Sequence, residues 1–220
     1  MKIFPVVHVT GIEQSVAEVT RAVRHSVDGV FLIDHDANDA RLVEAIRAVR
    51  DEFPGIFLGA NFIRRALAPA LDMLGAAFAD DIPVDAIWAD NVPALSAGNA
   101  ELTPVDRRGW DGLHFGGIAF KYQPEVALED LPALGEAAVS HVDVVTTSGP
   151  GTGQAADVSR LHAIRAGIGS TPLAVASGIT PENVESYLDV VDHALVATGI
   201  SRPGGGIDEA RLSALVVRAR

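Results

Sequence analysis

Three segments in the last third of the chain join hydroxyl residues to glycine. They are Ser148-Gly149-Pro150-Gly151-Thr152-Gly153, Ser177-Gly178-Ile179-Thr180 and Thr198-Gly199-Ile200-Ser201. Glycine lets backbone N–H groups converge on an anion without interference from a side chain. A following helix N-terminus adds partial positive charge. The pattern points to a phosphate held by Gly151, Thr152, Gly153, Ser177, Gly178, Ile179, Thr198, Gly199 and Ile200. Read without a ligand, the same segments are tight turns between a strand and a helix.

A different chemistry stands earlier in the chain. Lys121 is one of only two lysines, whereas the other basic residues are all arginine. Lysine can pair with a phosphate as a point charge, or act as a base when burial depresses its pKa. Otherwise it snorkels from a rim to water. Asp34, His8 and Asp90 add carboxylate and imidazole groups for proton transfer. Asn61, Asn91 and Thr147 could bind substrate. The bland alternatives are a hydrogen-bonded core role for His8 and a loop-capping role for Asp90 and Asn91. Asp34-His35-Asp36 together with His8 also has the residue types of a metal site. Strand alternation, however, puts His35 opposite Asp34 and Asp36, and His8 lacks a second nearby histidine, so no metal is expected. His25, His141, His162 and His193 fall on helices or at strand starts and read as structural or surface residues. Neither a nucleophile elbow, nor a P-loop, nor a dinucleotide fingerprint is present, so no cofactor is expected.

These groups need a scaffold that brings them to one place. Eight short apolar, β-branched runs begin near Phe4, Val30, Ile56, Ala86, Leu113, Val142, Leu173 and Ala194. Their spacing of about 27 residues is close to one βα unit. They are apolar on both faces, as parallel strands covered by helices should be. Helical periodicity fills most gaps, for example Val16, Val19, Val23 and Val27, and Leu42, Ile46, Val49 and Phe53. Thr180-Pro181 reads as the cap and first position of a seventh helix, and Asp208 as the cap of the last. Val92 to Asp111 breaks periodicity at Pro93, Gly98, Pro104 and Gly109, which predicts a short or irregular fourth helix. The fold expected is a single α/β domain over residues 1–220, a (β/α)8 TIM barrel. An open doubly wound sheet would leave two runs unexplained. In a barrel, each candidate residue stands at the carboxyl end of a strand, where ligands bind. On the fifth strand, alternation predicts one face from Phe115, Gly117, Ala119 and Lys121. The other would carry His114, Gly116, Ile118 and Phe120.

Composition narrows the partners. The charge count is 17 − 29 = −12 and the pI is about 4.9. Such a chain does not suit a nucleic-acid groove or an anionic membrane surface. No apolar stretch approaches a membrane span or a signal segment, so the chain reads as cytoplasmic with no membrane insertion. The absence of cysteine excludes disulfides, thiolate metal sites and a cysteine nucleophile. A small phosphorylated molecule is the expected partner, and a homo-oligomer is compatible with the sequence.

The stretch from Asp143 to Ser201 carries the T-S-G-P-G-T-G turn, the G-I-T-P-E-N helix start and the ALVATG strand. In this it resembles the photosystem I biogenesis protein family (BtpA-like). PVVHV near the N-terminus and the lysine of FKY fit the same pattern more loosely. The resemblance implies a barrel related to phosphate-binding barrels. Some members of that family support photosystem I accumulation, and many occur in organisms without photosynthesis. The chain departs from the family in its shorter length, its Asp-His-Asp strand end and its fourth-helix region. SGITPEN alone also fits phosphoribosylanthranilate isomerase-like enzymes. Two functions are therefore weighed. One is acid/base chemistry, isomerase-like or by a poorer second a lyase, on a small phosphorylated sugar or phosphoribosyl compound. The other is a non-catalytic assembly or stability factor.

Overall fold

The computed structural model describes residues 1–92 and 105–220. Eight parallel strands close into a barrel in chain order. They are β1 (Lys2–His8), β2 (Val30–Ile33), β3 (Leu58–Asn61), β4 (Ala86–Ala89), β5 (Leu113–Gly117), β6 (Val144–Thr147), β7 (Leu173–Ala176) and β8 (His193–Val196). The ring shuts where Phe4 of β1 pairs with Leu195 of β8. The fold is the TIM barrel that the eight apolar runs predict.

Alternation along the strands splits the core in two. Phe4, Val6, Phe31, Ile33, Ala86, Trp88, Phe115, Val144, Ala174, Ala176 and Leu195 fill the lumen. The residues between them face the helices and form the larger outer cluster. Aromatic rings plug the lumen edge-on, with Phe31 and Phe115 centroids 5.1 Å apart and Phe4 and Phe31 5.7 Å apart. Such pairs add about 0.5–1.5 kcal/mol each beyond their buried area.

Six α-helices cover this barrel among the described residues: α1 (Ile12–Val23), α2 (Asp39–Glu52), α3 (Leu67–Phe78), α4 (Leu131–Ala138), α5 (Val158–Ile168) and α6 (Glu209–Arg218). Side chains cap three of them. Asn38 accepts from Arg41 N, Asp157 from Ser159 N, and Asp208 from the N–H groups of Ala210 and Arg211. The predicted seventh helix is a 3-10 turn, Val184–Tyr187. Thr180 does not cap it: its hydroxyl accepts from Glu182 N at 3.2 Å ahead of the turn, whose N-cap position is Asn183. Asn183 is what tightens the turn. Its side chain accepts from Thr180 N and donates to Gly178 O, both at 2.8 Å, and such local bonds compete with a helical ladder. Of the stretch expected to hold an irregular fourth helix, residues 93–104 lie outside the described residues. Among the described residues, no helix is long and apolar enough to cross a membrane.

Candidate functional site

The phase of each strand decides which side chain reaches the barrel mouth. On β1, Phe4 and Val6 point inward, so His8 is the next inward residue. On β2, Phe31 and Ile33 point inward, so His35 follows them and Asp34 turns out toward α2. His8 and His35 meet at the mouth with their Nε2 atoms 3.3 Å apart and their rings nearly perpendicular. The expectation that His8 lacks a second histidine is thereby corrected. Alternation separates His35 from Asp34 as predicted, but His35 is the one on the lumen side.

Asp34 sits in a structural clamp. Arg41 grips it with a two-pronged fork, Nε to Oδ2 at 2.6 Å and Nη2 to Oδ1 at 2.9 Å. The carboxylate is 2% exposed. Burial alone would push its pKa up, but the Arg41 fork and the N–H groups of Asn38 and Asp36 outweigh it and hold the carboxyl below its usual range. Asp34 is not among the residues lining the mouth.

Asp90 follows β4 on the inward phase set by Ala86 and Trp88. Its Oδ1 accepts from Asn61 Nδ2 at 2.9 Å, and Asn61 is itself 1% exposed. Burial raises the Asp90 pKa, and the Asn61 hydrogen bond and the charges of Lys121 and His35 only partly offset it. His8 moves the other way. Burial, then the neighbouring His35 and Lys121 charges, push it down to about 4. His8 nevertheless remains an exposed residue at the end of β1. Asn91 accepts from Gln123 Nε2 at 3.3 Å, and the same amide donates to Asp90 O at 2.8 Å, which ties the β4 and β5 ends together.

Lys121 reaches this mouth by a different route from the one predicted. Strand β5 ends at Gly117, and Ala119 has φ +43, so the alternation fails there. Phe120 consequently joins the lumen cluster while Ile118 faces outward. Ser148 Oγ fixes the bend by accepting from Lys121 N at 2.8 Å. The Lys121 ammonium stands 3.5 Å from Thr152 Oγ1 and 5.7 Å from the Phe120 ring centre.

The hydroxyl-glycine segments form the opposite rim. Ser177 Oγ donates to Gly151 O at 2.9 Å and accepts from Gly153 N at 3.1 Å, stitching two loops together. Thr152, Gly153, Ser177, Gly178 and Thr198 line a mouth pocket of about 50 Å³ with His8, His35, Trp88 and Lys121. Gly151, Ile179, Gly199 and Ile200 do not line it. Ile179 and Ile200 are each 1% exposed, and Ile200 N already donates to Ala197 O at 3.0 Å. The expected convergence of their N–H groups on the pocket is corrected accordingly. Gly178 has φ +71, and a Cβ there would meet Gln154 O at 2.2 Å; at Gly199 one would meet Ile179 O at 1.9 Å. Bulky residues at either position would disturb the loops themselves, not only a ligand. Thr147 also turns away from the mouth, donating to Ala119 O at 3.3 Å. It lines a separate cavity of about 460 Å³ between the post-β5 loop and α5.

Sequence reasoning missed Trp88, Gln123 and Arg41, and it weighed His35 only as part of a metal group. A lone arginine in the first turn of α2 gave the only hint of the Asp34 clamp. Among the described residues, no group of three or more histidine or acidic side chains is placed to hold a metal ion. The arrangement can instead move protons. It sets a neutral imidazole and an ammonium on one small opening, with a carboxyl of raised pKa beside it at the β4 end and outside the pocket lining.

Solved structures share this architecture at low identity. A native KDPGal structure aligns with TM-score 0.70 and 15% identity over 99% of this chain and 94% of its own. Phosphoribosyl anthranilate isomerase from Thermus thermophilus aligns at 0.66 and 14%, covering 99% and 98%. (S)-3-O-geranylgeranylglyceryl phosphate synthase from Thermoplasma acidophilum, in complex with sn-glycerol-1-phosphate, aligns at 0.71 and 13%, covering 99% and 92%. At these identities the likeness is one of fold. No curated protein matches the sequence. The C-terminal part of the chain, residues 126–220, matches the model of the BtpA family.

Proposed function

We propose that the protein is an enzyme that acts on a small phosphorylated sugar or phosphoribosyl compound by isomerase-like acid/base chemistry. The observation that carries this reading is burial at the β1 and β4 ends, which disfavours the charged form of both titratable groups there, holding His8 down to about 4 and pushing Asp90 upward. Titratable groups perturbed by burial and by specific charged neighbours at strand ends mark a candidate site for proton transfer. His8, neutral at pH 7, accepts a proton from substrate. Asp90, positioned by Asn61, handles the second transfer. Lys121 faces the phosphate or the reacting oxygen. Thr152, Gly153, Ser177 and Gly178 hold the phosphate from the opposite rim. Two barrels of similar fold are named for phosphate-bearing chemistry, a phosphoribosyl compound and a glycerol phosphate, which supports this substrate class.

The small mouth, about 50 Å³, favours the second reading, a non-catalytic assembly factor of the photosystem I biogenesis type. A thermal-shift screen of sugar phosphates and phosphoribosyl compounds separates the two. Ligand at 100 times its dissociation constant stabilises by about 2.7 kcal/mol. Lys121→Met should abolish that shift while keeping the parent's unliganded stability. A flat screen across all these compounds would sink the enzyme reading and leave the assembly factor.

A further inference from the structure

Strands β1 and β2 are neighbours in the barrel, and His8 pairs in register with Ile33. His35 stands two residues past Ile33 on the same inward phase, so the register itself brings the two imidazoles together. Their Nε2 atoms lie 3.3 Å apart and the ring planes cross at 76°. Both residues are exposed, and both line the mouth pocket with Lys121. A neutral imidazole has one N–H and one bare nitrogen. Two facing Nε2–H groups would set hydrogen against hydrogen, and two bare Nε2 atoms would oppose their lone pairs. The contact is favourable with one proton between the nitrogens, which holds the rings in opposite tautomers. The neutral pair can gain one further proton and keep this contact. A second would set N–H against N–H and two cations side by side, with Lys121 adding a third, so the two rings titrate as a unit.

The surroundings of the two rings differ. The charged form of His8 is opposed by burial, then by the charges of His35 and Lys121. His35 lies in the loop beyond β2 between Asp34 and Asp36, both bound to Arg41. A positive His35 is also attracted by the Asp90 carboxylate at the β4 end. A base held at about 4 retains little of a proton near pH 7 by itself. We infer that His35 is a positioning residue that acts through His8, fixing its tautomer and receiving its proton, so that the base of the site is the pair. The inference rests on the proposed function only for the source of that proton. The transfer balances. His8 starts with its proton on Nε2, shared with His35. The substrate proton arrives at His8 Nδ1, the nitrogen that the contact leaves over, while the electron pair of the broken C–H bond stays with the substrate. The Nε2 proton crosses to His35 Nε2. His8 ends neutral in its other tautomer, and His35 ends as the cation. Return of the proton reverses the steps.

The test follows the ring nitrogens of ¹⁵N-histidine-labelled protein from pH 8 to pH 4, with signals assigned through His8→Gln and His35→Phe. At pH 8 the two rings should show opposite tautomers, Nε2–H on His8 and Nδ1–H on His35. On acidification His35 should become the cation while His8 exchanges Nε2–H for Nδ1–H without charging. His35→Phe keeps a ring for the edge-on contact and removes its nitrogens, and at an exposed position it should melt with the parent. In that variant His8 should lose its single tautomer, and its titration should move part of the way from about 4 toward 6.5. Ribose 5-phosphate in D₂O is the reaction probe. Deuterium uptake at the carbon beside its carbonyl should be about 10²-fold slower in His35→Phe than in the parent. Charging of His8 before His35, or a His8 tautomer and titration unchanged in His35→Phe, overturns the inference and leaves the proposed function standing. Equal deuterium uptake by parent and His35→Phe does the same. Rings coupled as described, with no deuterium uptake by the parent, uphold the pair and count against the proposed function.

Discussion

Asp34 and Asp90 are the same chemical group in the same place along the chain, each one residue past the end of a strand. Their fates diverge because β2 and β4 run in opposite phase. On β2 the inward residues are Phe31 and Ile33, so the next residue faces the helices; on β4 they are Ala86 and Trp88, so position 90 faces the mouth. The outward carboxylate meets Arg41 and is pulled down in pKa by a guanidinium fork and two backbone N–H groups that together outweigh its burial. The inward one meets a neutral amide from Asn61 and is pushed up by burial. A one-residue difference in phase thus separates a carboxylate that holds a loop from one that can exchange a proton.

The contrast breaks first at Asp90. Asp90→Asn keeps the shape and removes the titrating group. If the proposed chemistry is right, the turnover rate falls by roughly 10²–10⁴-fold, while the melting temperature stays level or rises as a buried charge is relieved. Steady-state rates beside a melting curve check both halves, and a large loss of stability with normal turnover would reverse the assignment. Arg41→Met does the opposite. It strands the Asp34 carboxylate, which is 2% exposed, and should lower the melting temperature by on the order of 5–10 °C. Ligand affinity at the mouth should not change. Asp34→Asn should cost less than Arg41→Met, because it leaves no unpaired buried charge. Ser177→Ala is a milder test of the opposite rim. It removes the two bonds that join Gly151 and Gly153 to the β7 end, and calorimetry should show phosphate-ligand affinity reduced by about 5-fold.

The barrel was legible because parallel strands buried on both faces read as continuous apolar runs, and VFLID, AIWAD and LAVASG stand out as such. The same property hides the phase. VFLID has no polar alternation, so nothing in it tells whether Asp34 or His35 follows the lumen face. Trp88 is similarly concealed, since AIWAD reads as one apolar unit and its inward face is set only once the lumen is assembled. At the end of β5 the alternation rule failed through Ala119, a non-glycine residue with φ +43. No glycine stands at the bend itself, and the hydrogen bonds of Lys121 N to Ser148, Phe120 N to Gln123 and Thr147 Oγ1 to Ala119 O help hold it. The seventh helix failed for a local reason as well, because the Asn183 side chain ties itself to the backbone of Gly178 and Thr180 just before the turn.

The smallest effect concerns acid. His8, His114 and His193 all have pKa values lowered from 6.5, His8 to about 4, with burial the leading cause for each. A histidine held neutral in the fold takes up its proton more readily once unfolded. Below the unfolded value the unfolded chain therefore binds more protons, and stability falls with falling pH. The contribution of His8 is fully present above pH 6.5 and is lost progressively as pH drops toward 4. Asp90 has the opposite sign, because a raised carboxyl favours the fold at pH below the unfolded value of 3.8 and loses that advantage as pH rises. The two therefore oppose each other above pH 3.8, with the histidines driving the fall that begins near 6.5. His8 is an exposed residue, which screens its share, while His114 and His193 lie deep at the amino-terminal ends of β5 and β8. Denaturant unfolding followed from pH 8 to pH 4 should show the decline, and His8→Gln should flatten it only slightly. A His8→Gln curve that keeps the parent's full slope would place the acid sensitivity in the buried pair and leave His8 ordinary. A curve that flattens completely would mean the mouth is more tightly closed than the exposure of His8 implies.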